Sequence, residues 1–131
     1  MAMRKALQMA GLGPSEIDYI NGHSTSTQVG DAAELAGIAA VFAGRGRDLS
    51  ISSTKSATGH LMGAAGAIEA VYSIEAIRHG MMPATLNLDE PDVGEGFDLV
   101  PKAPKPKQLA HVLSNSFGFG GVNAALVLSA V

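Results

Sequence analysis

Two histidines and one lysine lie in polar segments that follow predicted strands. His23 belongs to the segment 21–27, NGHSTST, while Lys55 and His60 belong to the segment that leads into a glycine- and alanine-rich helix. Ligands of open α/β sheets bind beyond the carboxyl ends of the strands, so we expect these three side chains to meet at one edge. A glycine-rich turn at 117–121 is predicted at the same edge and adds backbone N–H groups. Such a set of donors suits the stabilisation of a developing oxyanion.

The stretch from Ser53 to Glu69 organises this candidate site, because it carries Lys55 and His60 and opens a helix predicted over 61–77. That helix is nearly apolar on every side, which is typical of a helix buried in a core. The glycines within it are explained if a neighbouring element packs too closely for a methyl group. His60 then lies just before the positive end of a buried helix, where a second positive charge is disfavoured. We therefore expect a neutral imidazole that donates a hydrogen bond.

Each of these residues also has a structural interpretation. Either histidine alone could be satisfied by backbone groups of its loop, and Lys55 could be a solvated lysine or the ion-pair partner of a buried Glu69. A metal site is disfavoured, because two imidazoles without a nearby carboxylate or thiolate fall short of a ligand set. Nucleotide binding is disfavoured because GHLMGAAG lacks the phosphate-loop patterns. The other candidates with a structural interpretation are Thr25, Thr27, His79, His111, Phe117 and Phe119.

Hydrophobic periodicity predicts alternating helices and strands. The predicted helices cover 2–11, about 30–43 with Asp31 as a candidate N-cap, and 61–77, and the predicted strands cover 17–20, 49–52, 110–116 and 122–129. The last strand is apolar without alternation, which is typical of a strand covered on both faces. The proline-rich stretch 81–107 is predicted to be irregular, apart from one extended piece at 97–100. The predicted fold class is α/β, a mixed sheet with helices on both faces.

The composition disfavours several functional classes. Of the 131 residues, 47% are hydrophobic and 16% are charged, as expected for one globular domain or a part of one. The net charge is −3 and the basic residues are scattered, so the sequence predicts no basic patch that would bind nucleic acid. No apolar run reaches the ~18 residues of a membrane span. The first residues are predicted to form an amphipathic helix rather than a signal peptide, so we expect an intracellular protein without membrane contact.

Four segments resemble the C-terminal half of a β-ketoacyl-[acyl-carrier-protein] synthase, the elongating condensing enzyme of fatty-acid synthesis. They are NGHSTST with GD shortly after it, SSTKSATGHLMGAAGAIEA, PATLNLDEPD and NSFGFGGVNAAL, in this order. The resemblance is to the synthase II type and extends from about Met3 to Leu128. Four motifs at matching intervals make it specific to this family.

The resemblance implies a thiolase-like fold, in which two similar halves pack their central helices together and this chain forms most of the second half. It implies that His23 and His60 are catalytic histidines, which bind the malonyl thioester and stabilise the enolate left by decarboxylation. Lys55 matches the active-site lysine, and Phe119 matches the gating phenylalanine whose backbone N–H completes the oxyanion hole. The remaining matched positions are the supporting residues Asp31 and Glu69 and the hydroxyls that hold the phosphopantetheine arm, Thr25 and Thr27.

The resemblance also implies substrates and partners. Acyl groups are carried on the phosphopantetheine of an acyl carrier protein, with neither a separate cofactor nor a metal. The implied partners are that carrier protein, the N-terminal half of the synthase and a second copy in a homodimer. The implied compartment is the bacterial cytoplasm or an organellar matrix or stroma.

The sequence departs from the family pattern next to the first histidine. Gly22 stands where alanine is usual and Ser24 stands where glycine or alanine is usual, and both changes are small enough to preserve the position of His23. At the glycine-rich turn, Val122 replaces a more usual threonine, which removes one hydroxyl.

The largest departure is the absence of cysteine. Enzymes of this family carry the acyl chain on a cysteine of the N-terminal half, and a thioester exchange needs a thiolate. We therefore expect the isolated chain to be inactive, to be a piece of a longer protein, and to expose an apolar patch where its central helix lacks a partner. The rival hypothesis is a non-catalytic, synthase-like subunit that pairs to set chain length, but retention of His23, Lys55 and His60 argues against it. A degradative thiolase is disfavoured because that branch uses a second cysteine in this half.

Overall fold

The computed structural model describes residues 1–131. Its elements are α1 (Ala2–Ala10), β1 (Tyr19–Asn21), α2 (Gln28–Val41), β2 (Ser50–Ser52), α3 (Lys55–Thr58), α4 (Ala65–His79), β3 (Met81–Met82), β4 (Lys105–Pro106), β5 (His111–Phe117) and β6 (Asn123–Ser129). Short 3₁₀ turns lie at Pro14–Glu16, Gly46–Asp48, Met62–Ala64 and Phe119–Gly121. The predicted order of helices and strands is confirmed, and α3 and the short β3–β4 ribbon are additions to it.

The main sheet has four strands in the order β2–β1–β5–β6. β1 is parallel to both of its neighbours, β2 and β5, whereas β6 pairs with β5 in antiparallel register. The predicted mixed sheet is therefore confirmed. Because β1 and β2 run in the same direction, the segments that carry His23 and Lys55 leave the sheet at the same edge, as the sequence predicts.

Apolar side chains cover both faces of this sheet. Successive residues of a strand point to opposite faces, so Ile20 and Leu113 join one layer while Tyr19 and Val112 join the other. The first layer is completed by residues of α1, α2 and the adjoining strands, namely Met3, Leu7, Ile17, Ile38, Phe42, Leu49 and Ile51. The second is completed by Ala76 of α4 with Met82, Val100 and Leu109. Helices therefore lie on both faces, as predicted.

Helix α4 buries one side and exposes the other. Its buried residues share one face at helical spacing and are mostly small or polar, namely Ala65, Glu69, Ser73 and Ala76. Val71 and Ile74 on the opposite side are 49% and 44% exposed. The predicted start at residue 61 is wrong, because Met62 adopts a φ of 52° and the preceding segment forms a separate turn. Close packing is confirmed at Gly66, where a Cβ would lie 3.0 Å from the Ser116 hydroxyl, but not at Gly63, which faces open space.

Three further expectations need correction. α2 begins at Gln28 with Thr27 as its N-cap, so Asp31 lies in the first turn instead of capping it. The last strand, β6, is not covered on both faces, because it lies at the sheet edge and Leu126 is 50% exposed. The extended piece at 97–100 forms only an isolated bridge, between Asp98 and Ser50. The stretch 81–107 is otherwise irregular, as predicted, except that β3 and β4 pair at its two ends. No helix of the chain has the length and hydrophobicity needed to cross a membrane.

Candidate active site

A buried ion pair lies at the carboxyl edge of the sheet. Lys55 is the first residue of α3, and its ammonium donates to the carboxylate of Glu69 in α4. The two side chains are only 5% and 2% exposed. Burial raises the pKa of the Glu69 carboxyl, while the hydrogen bond from Lys55 lowers it. The ion pair that the sequence suggested is therefore formed, and it ties α3 to α4.

The two predicted catalytic histidines lie beside each other. The ring centres of His23 and His60 are 5.5 Å apart, with the ring planes at 86°. His23 is partly buried and His60 is exposed. The backbone N–H of Met62 donates to Nδ1 of His60 at 3.3 Å, so a neutral His60 ring carries its proton on Nε2 and can donate it outward. The sequence suggested that His60 borders the start of α4 directly. In the structure it does not, because the Met62–Ala64 turn lies between them.

A buried carboxylate that sequence reasoning missed holds the loop of His23. Glu34 of α2 is 5% exposed and accepts the backbone N–H groups of His23 at 2.9 Å and Ser24 at 2.7 Å. It also accepts the Ser24 hydroxyl at 3.1 Å and the Asn115 side-chain amide of β5 at 3.0 Å. A signal was available, because Glu34 lies four residues before Ile38 and so falls on the inward face of α2. Glu34 thus fixes the position of His23 relative to both α2 and β5.

Glu34→Gln should lower the free energy of unfolding by about 2–3 kcal/mol, because an amide turns its own donor toward groups that donate to a carboxylate. Urea denaturation of the chain measures this change. Glu95→Gln, at an exposed position, serves as the matched control and should stay within ~0.5 kcal/mol of the parent. Equal small effects of the two substitutions would mean that Glu34 does not hold the loop.

A cleft of about 450 Å³ opens beside Lys55 and His60. Its lining includes Lys55 and His60, Thr25 and Asp31 from the segment after β1, and residues of the stretch 85–93. The hydroxyls of Thr25 and Thr27 are 3.3 Å apart, although Thr27 itself is exposed and outside the lining. Burial raises the pKa of the Asp31 carboxyl, whose Oδ1 has no hydrogen-bond partner. Four of the eight predicted site residues, Thr25, Asp31, Lys55 and His60, therefore line one cleft. His23 and Glu69 do not line it but lie against His60 and Lys55, respectively.

Phe119, like Thr27, is a predicted site residue that does not line the cleft. Its side chain is fully exposed and takes no part in the lining of the cleft. Gly120 and Gly121 follow it with φ values of 71° and 79°, and this left-handed backbone makes a turn that projects from the hairpin. Phe117 instead lies against His23, with ring centres 6.1 Å apart. Within this chain, the aromatic contact to the site comes from Phe117.

Burial lowers the pKa of the His23 imidazole, and the ammonium of Lys55 lowers it further, against the opposing carboxylate of Glu34. The ring is therefore neutral at neutral pH. A histidine whose native pKa is lowered binds protons less readily than in the unfolded chain. The free energy of unfolding should consequently fall as the pH drops below about 6.5, the ordinary histidine value, and level off below the native pKa.

Lys55→Met should raise the pKa of His23, because it removes the second cause of the shift. An NMR titration of the His23 ring measures the change. Lys102→Met removes an exposed lysine that pairs with Asp89, so it should leave the His23 pKa where it is. The proposed electrostatic coupling is wrong if both variants move the titration equally.

The arrangement can stabilise negative charge on an oxygen. The two imidazoles lie close enough to direct N–H groups at one oxyanion. Lys55, which lines the cleft, holds its ammonium in the buried pair with Glu69. These residues hold the required donors in place before any substrate arrives.

Residues 1–89 match the sequence family described as Beta-ketoacyl synthase, C-terminal domain. The chain belongs to the β-ketoacyl synthase family. It is 48% identical over 134 residues to the mitochondrial 3-oxoacyl-[acyl-carrier-protein] synthase of Arabidopsis thaliana, covering 100% of this chain and 29% of that protein. It is also 48% identical over 129 residues to 3-oxoacyl-[acyl-carrier-protein] synthase 2 of Coxiella burnetii, covering 98% of this chain and 31% of that protein. The chain thus spans about a third of the length of these relatives.

Solved ketosynthase structures share the fold. A structure described as the ishigamide ketosynthase/chain length factor aligns with a TM-score of 0.93 and 37% identity, covering 98% of this chain and 32% of that chain. A type II PKS acyl-carrier protein in complex with its ketosynthase aligns with a TM-score of 0.93 and 32% identity over the same shares. The C-terminal half of a thiolase-like fold, which the resemblance implied, is confirmed.

Proposed function

We propose that this chain is the C-terminal domain, residues 1–131, of a longer β-ketoacyl-[acyl-carrier-protein] synthase that elongates fatty acids. The observation that carries the proposal is the juxtaposition of His23 and His60, 5.5 Å apart beside the buried Lys55–Glu69 ion pair. Relatives at 48% identity are named 3-oxoacyl-[acyl-carrier-protein] synthases, which supports the same assignment.

The proposed reaction is a decarboxylative condensation. The bond between the malonyl carboxylate and its α-carbon breaks, carbon dioxide leaves, and the electron pair remains as a thioester enolate. His23 and His60 donate hydrogen bonds to the enolate oxygen, on which charge develops in the transition state. The enolate carbon then attacks the acyl thioester, a carbon–carbon bond forms, and the nucleophilic cysteine leaves as a thiolate.

The other site residues have supporting roles in this proposal. Lys55 and Glu69 fix α3 against α4, the charge of Lys55 acts on His23, and Asp31 lines the same cleft as Lys55. Thr25 and Thr27 hold the phosphopantetheine arm through their hydroxyls. Phe119 acts as the gate once the rest of the enzyme packs against its turn, because its side chain meets nothing within this chain.

The cysteine nucleophile belongs to the N-terminal part of the enzyme, since this chain contains none. The exposed side of α4, with Val71 and Ile74, is the surface on which that part packs. We propose an acyl carrier protein as the donor of both substrates and a homodimer as the complete assembly. The compartment is the bacterial cytoplasm or an organellar matrix or stroma, in keeping with bacterial and mitochondrial relatives.

A chimera tests the proposal. The C-terminal portion of the Coxiella burnetii synthase is replaced by this chain, and the product is incubated with acyl- and malonyl-carrier protein. Mass spectrometry should detect the 3-oxoacyl product, whereas the 131-residue chain alone should form none. A folded chimera that loads acyl groups without condensing them would overturn the enzymatic proposal.

The second candidate is a non-catalytic partner subunit that sets chain length. The alignment with a structure described as a ketosynthase/chain length factor favours it. It predicts that the chain restores no condensation in the chimera but binds a complete ketosynthase. Size-exclusion chromatography with light scattering distinguishes that complex from the separate proteins.

A further inference from the structure

Ser24 joins three segments of the candidate active site. Its backbone N–H and its hydroxyl both donate to Oε2 of Glu34 in α2, at 2.7 and 3.1 Å. Its carbonyl accepts the hydroxyl of Ser53 at 2.8 Å. Ser53 lies two residues before Lys55, so Ser24 links the loop of His23 to α2 and to the segment that carries the lysine.

Gly22 leaves the space that the Ser24 hydroxyl occupies. A Cβ at position 22 would lie 2.7 Å from the Ser24 Oγ and 3.5 Å from Oε1 of Glu34. The first distance is too short for two non-bonded atoms, so a side chain here would force the Ser24 hydroxyl to rotate. A rotated hydroxyl would leave Glu34. An alanine at position 22 and the Ser24–Glu34 hydrogen bond therefore exclude each other.

We propose that Gly22 and Ser24 act as one coupled pair that positions His23, with Ser24 as the positioning residue. His23 lies between them, and its own backbone N–H donates to the same carboxylate. The carboxylate thereby holds both the histidine and the residue after it. For catalysis, this inference rests on the proposed function.

A double-mutant cycle with Gly22→Ala and Ser24→Ala tests the coupling. In the chimera, each single substitution should lower kcat for malonyl decarboxylation about tenfold with KM nearly unchanged, since a charge-assisted hydrogen bond is lost in both. The double variant should match the poorer single variant, because Ser24→Ala removes the atom that the new methyl group would meet. A multiplicative loss of about a hundredfold, or a fully active Gly22→Ala variant, would overturn the proposal.

The 131-residue chain gives a second readout that does not depend on catalysis. NMR contacts between the rings of His23 and His60 should weaken to a similar extent in both single variants and in the double variant. Gly37→Ala is the matched control, because its Cβ would lie at an ordinary 3.5 Å from the Met3 side chain in α1. It should preserve the ring contact. If the cycle shows coupling in the 131-residue chain while the chimera stays inactive, the proposed function is wrong and the coupling of Gly22 and Ser24 is upheld. Unchanged ring contacts in all three variants would overturn the coupling itself.

Discussion

Lys55→Met should cost the chain about 3–5 kcal/mol of its free energy of unfolding at neutral pH, because it leaves the Glu69 carboxylate buried without a counter-charge. Methionine keeps nearly the same volume, so lost packing contributes little. Urea denaturation measures the effect. Glu75→Gln provides the matched control on the same helix, because it affects only the exposed pairs with Arg78 and His79 and should produce no measurable change.

The deficit of Lys55→Met should shrink as the pH falls. Burial already raises the pKa of Glu69, and removing Lys55 removes the principal group that lowers it. A carboxyl whose native pKa exceeds its unfolded value destabilises the fold as the pH rises through that native pKa, and it costs nothing below the unfolded value. The free energy of unfolding should therefore differ much more between pH 8 and pH 5 for the variant than for the parent chain. Equal deficits at both pH values would indicate lost packing instead of an uncompensated charge.

His60→Ala in the complete enzyme should reduce malonyl decarboxylation about 10²- to 10³-fold, which is the typical effect of removing one donor to an oxyanion. Acyl loading should remain largely intact, because loading uses the cysteine of the N-terminal part. Release of carbon dioxide from malonyl-carrier protein reports the first step, and the mass of the acylated enzyme reports the second.

His79→Ala is the matched control for this substitution, because His79 is an exposed histidine at the end of α4 and pairs only with Glu75. It should leave both steps unchanged. Loss of loading with retained decarboxylation in His60→Ala would reverse the role assigned to His60.

The sequence predicted the features that depend on local pattern. Strand and helix order follow from hydrophobic periodicity, and the meeting of His23 with His60 follows from the parallel course of β1 and β2. The spacing of α2 places Glu34 on its inward face, but its role depends on contacts with residues 10 and 81 positions away, which local spacing does not give. Long-range contacts of this kind become visible only in the folded chain.

Two other errors have a different cause. The apolar surfaces of α4 and β6 predict complete burial, but burial requires a partner, and this chain leaves Val71 and Leu126 half exposed. Likewise, the resemblance assigns Phe119 to the site, whereas its turn projects from the hairpin into solvent. Under the proposed function, the N-terminal part of the enzyme supplies the missing contact in both cases, which the pattern of these 131 residues cannot show.

The strand order has a consequence for how this segment is made. Strand β1, one of the two inner strands of the sheet, ends at Asn21, yet its partner β5 begins only at His111. The Asp18 carboxylate, just before β1, accepts the backbone N–H of His111, 93 positions along the chain. During synthesis on the ribosome, the edge of β1 that pairs with β5 therefore stays unpaired until β5 has been made. Such non-local pairing slows folding, and until β5 is synthesised it leaves one edge of the apolar strand β1 without a partner. Nascent chains that stop before residue 111 should thus depend on chaperones, whereas the β5–β6 hairpin can form at once from adjacent residues.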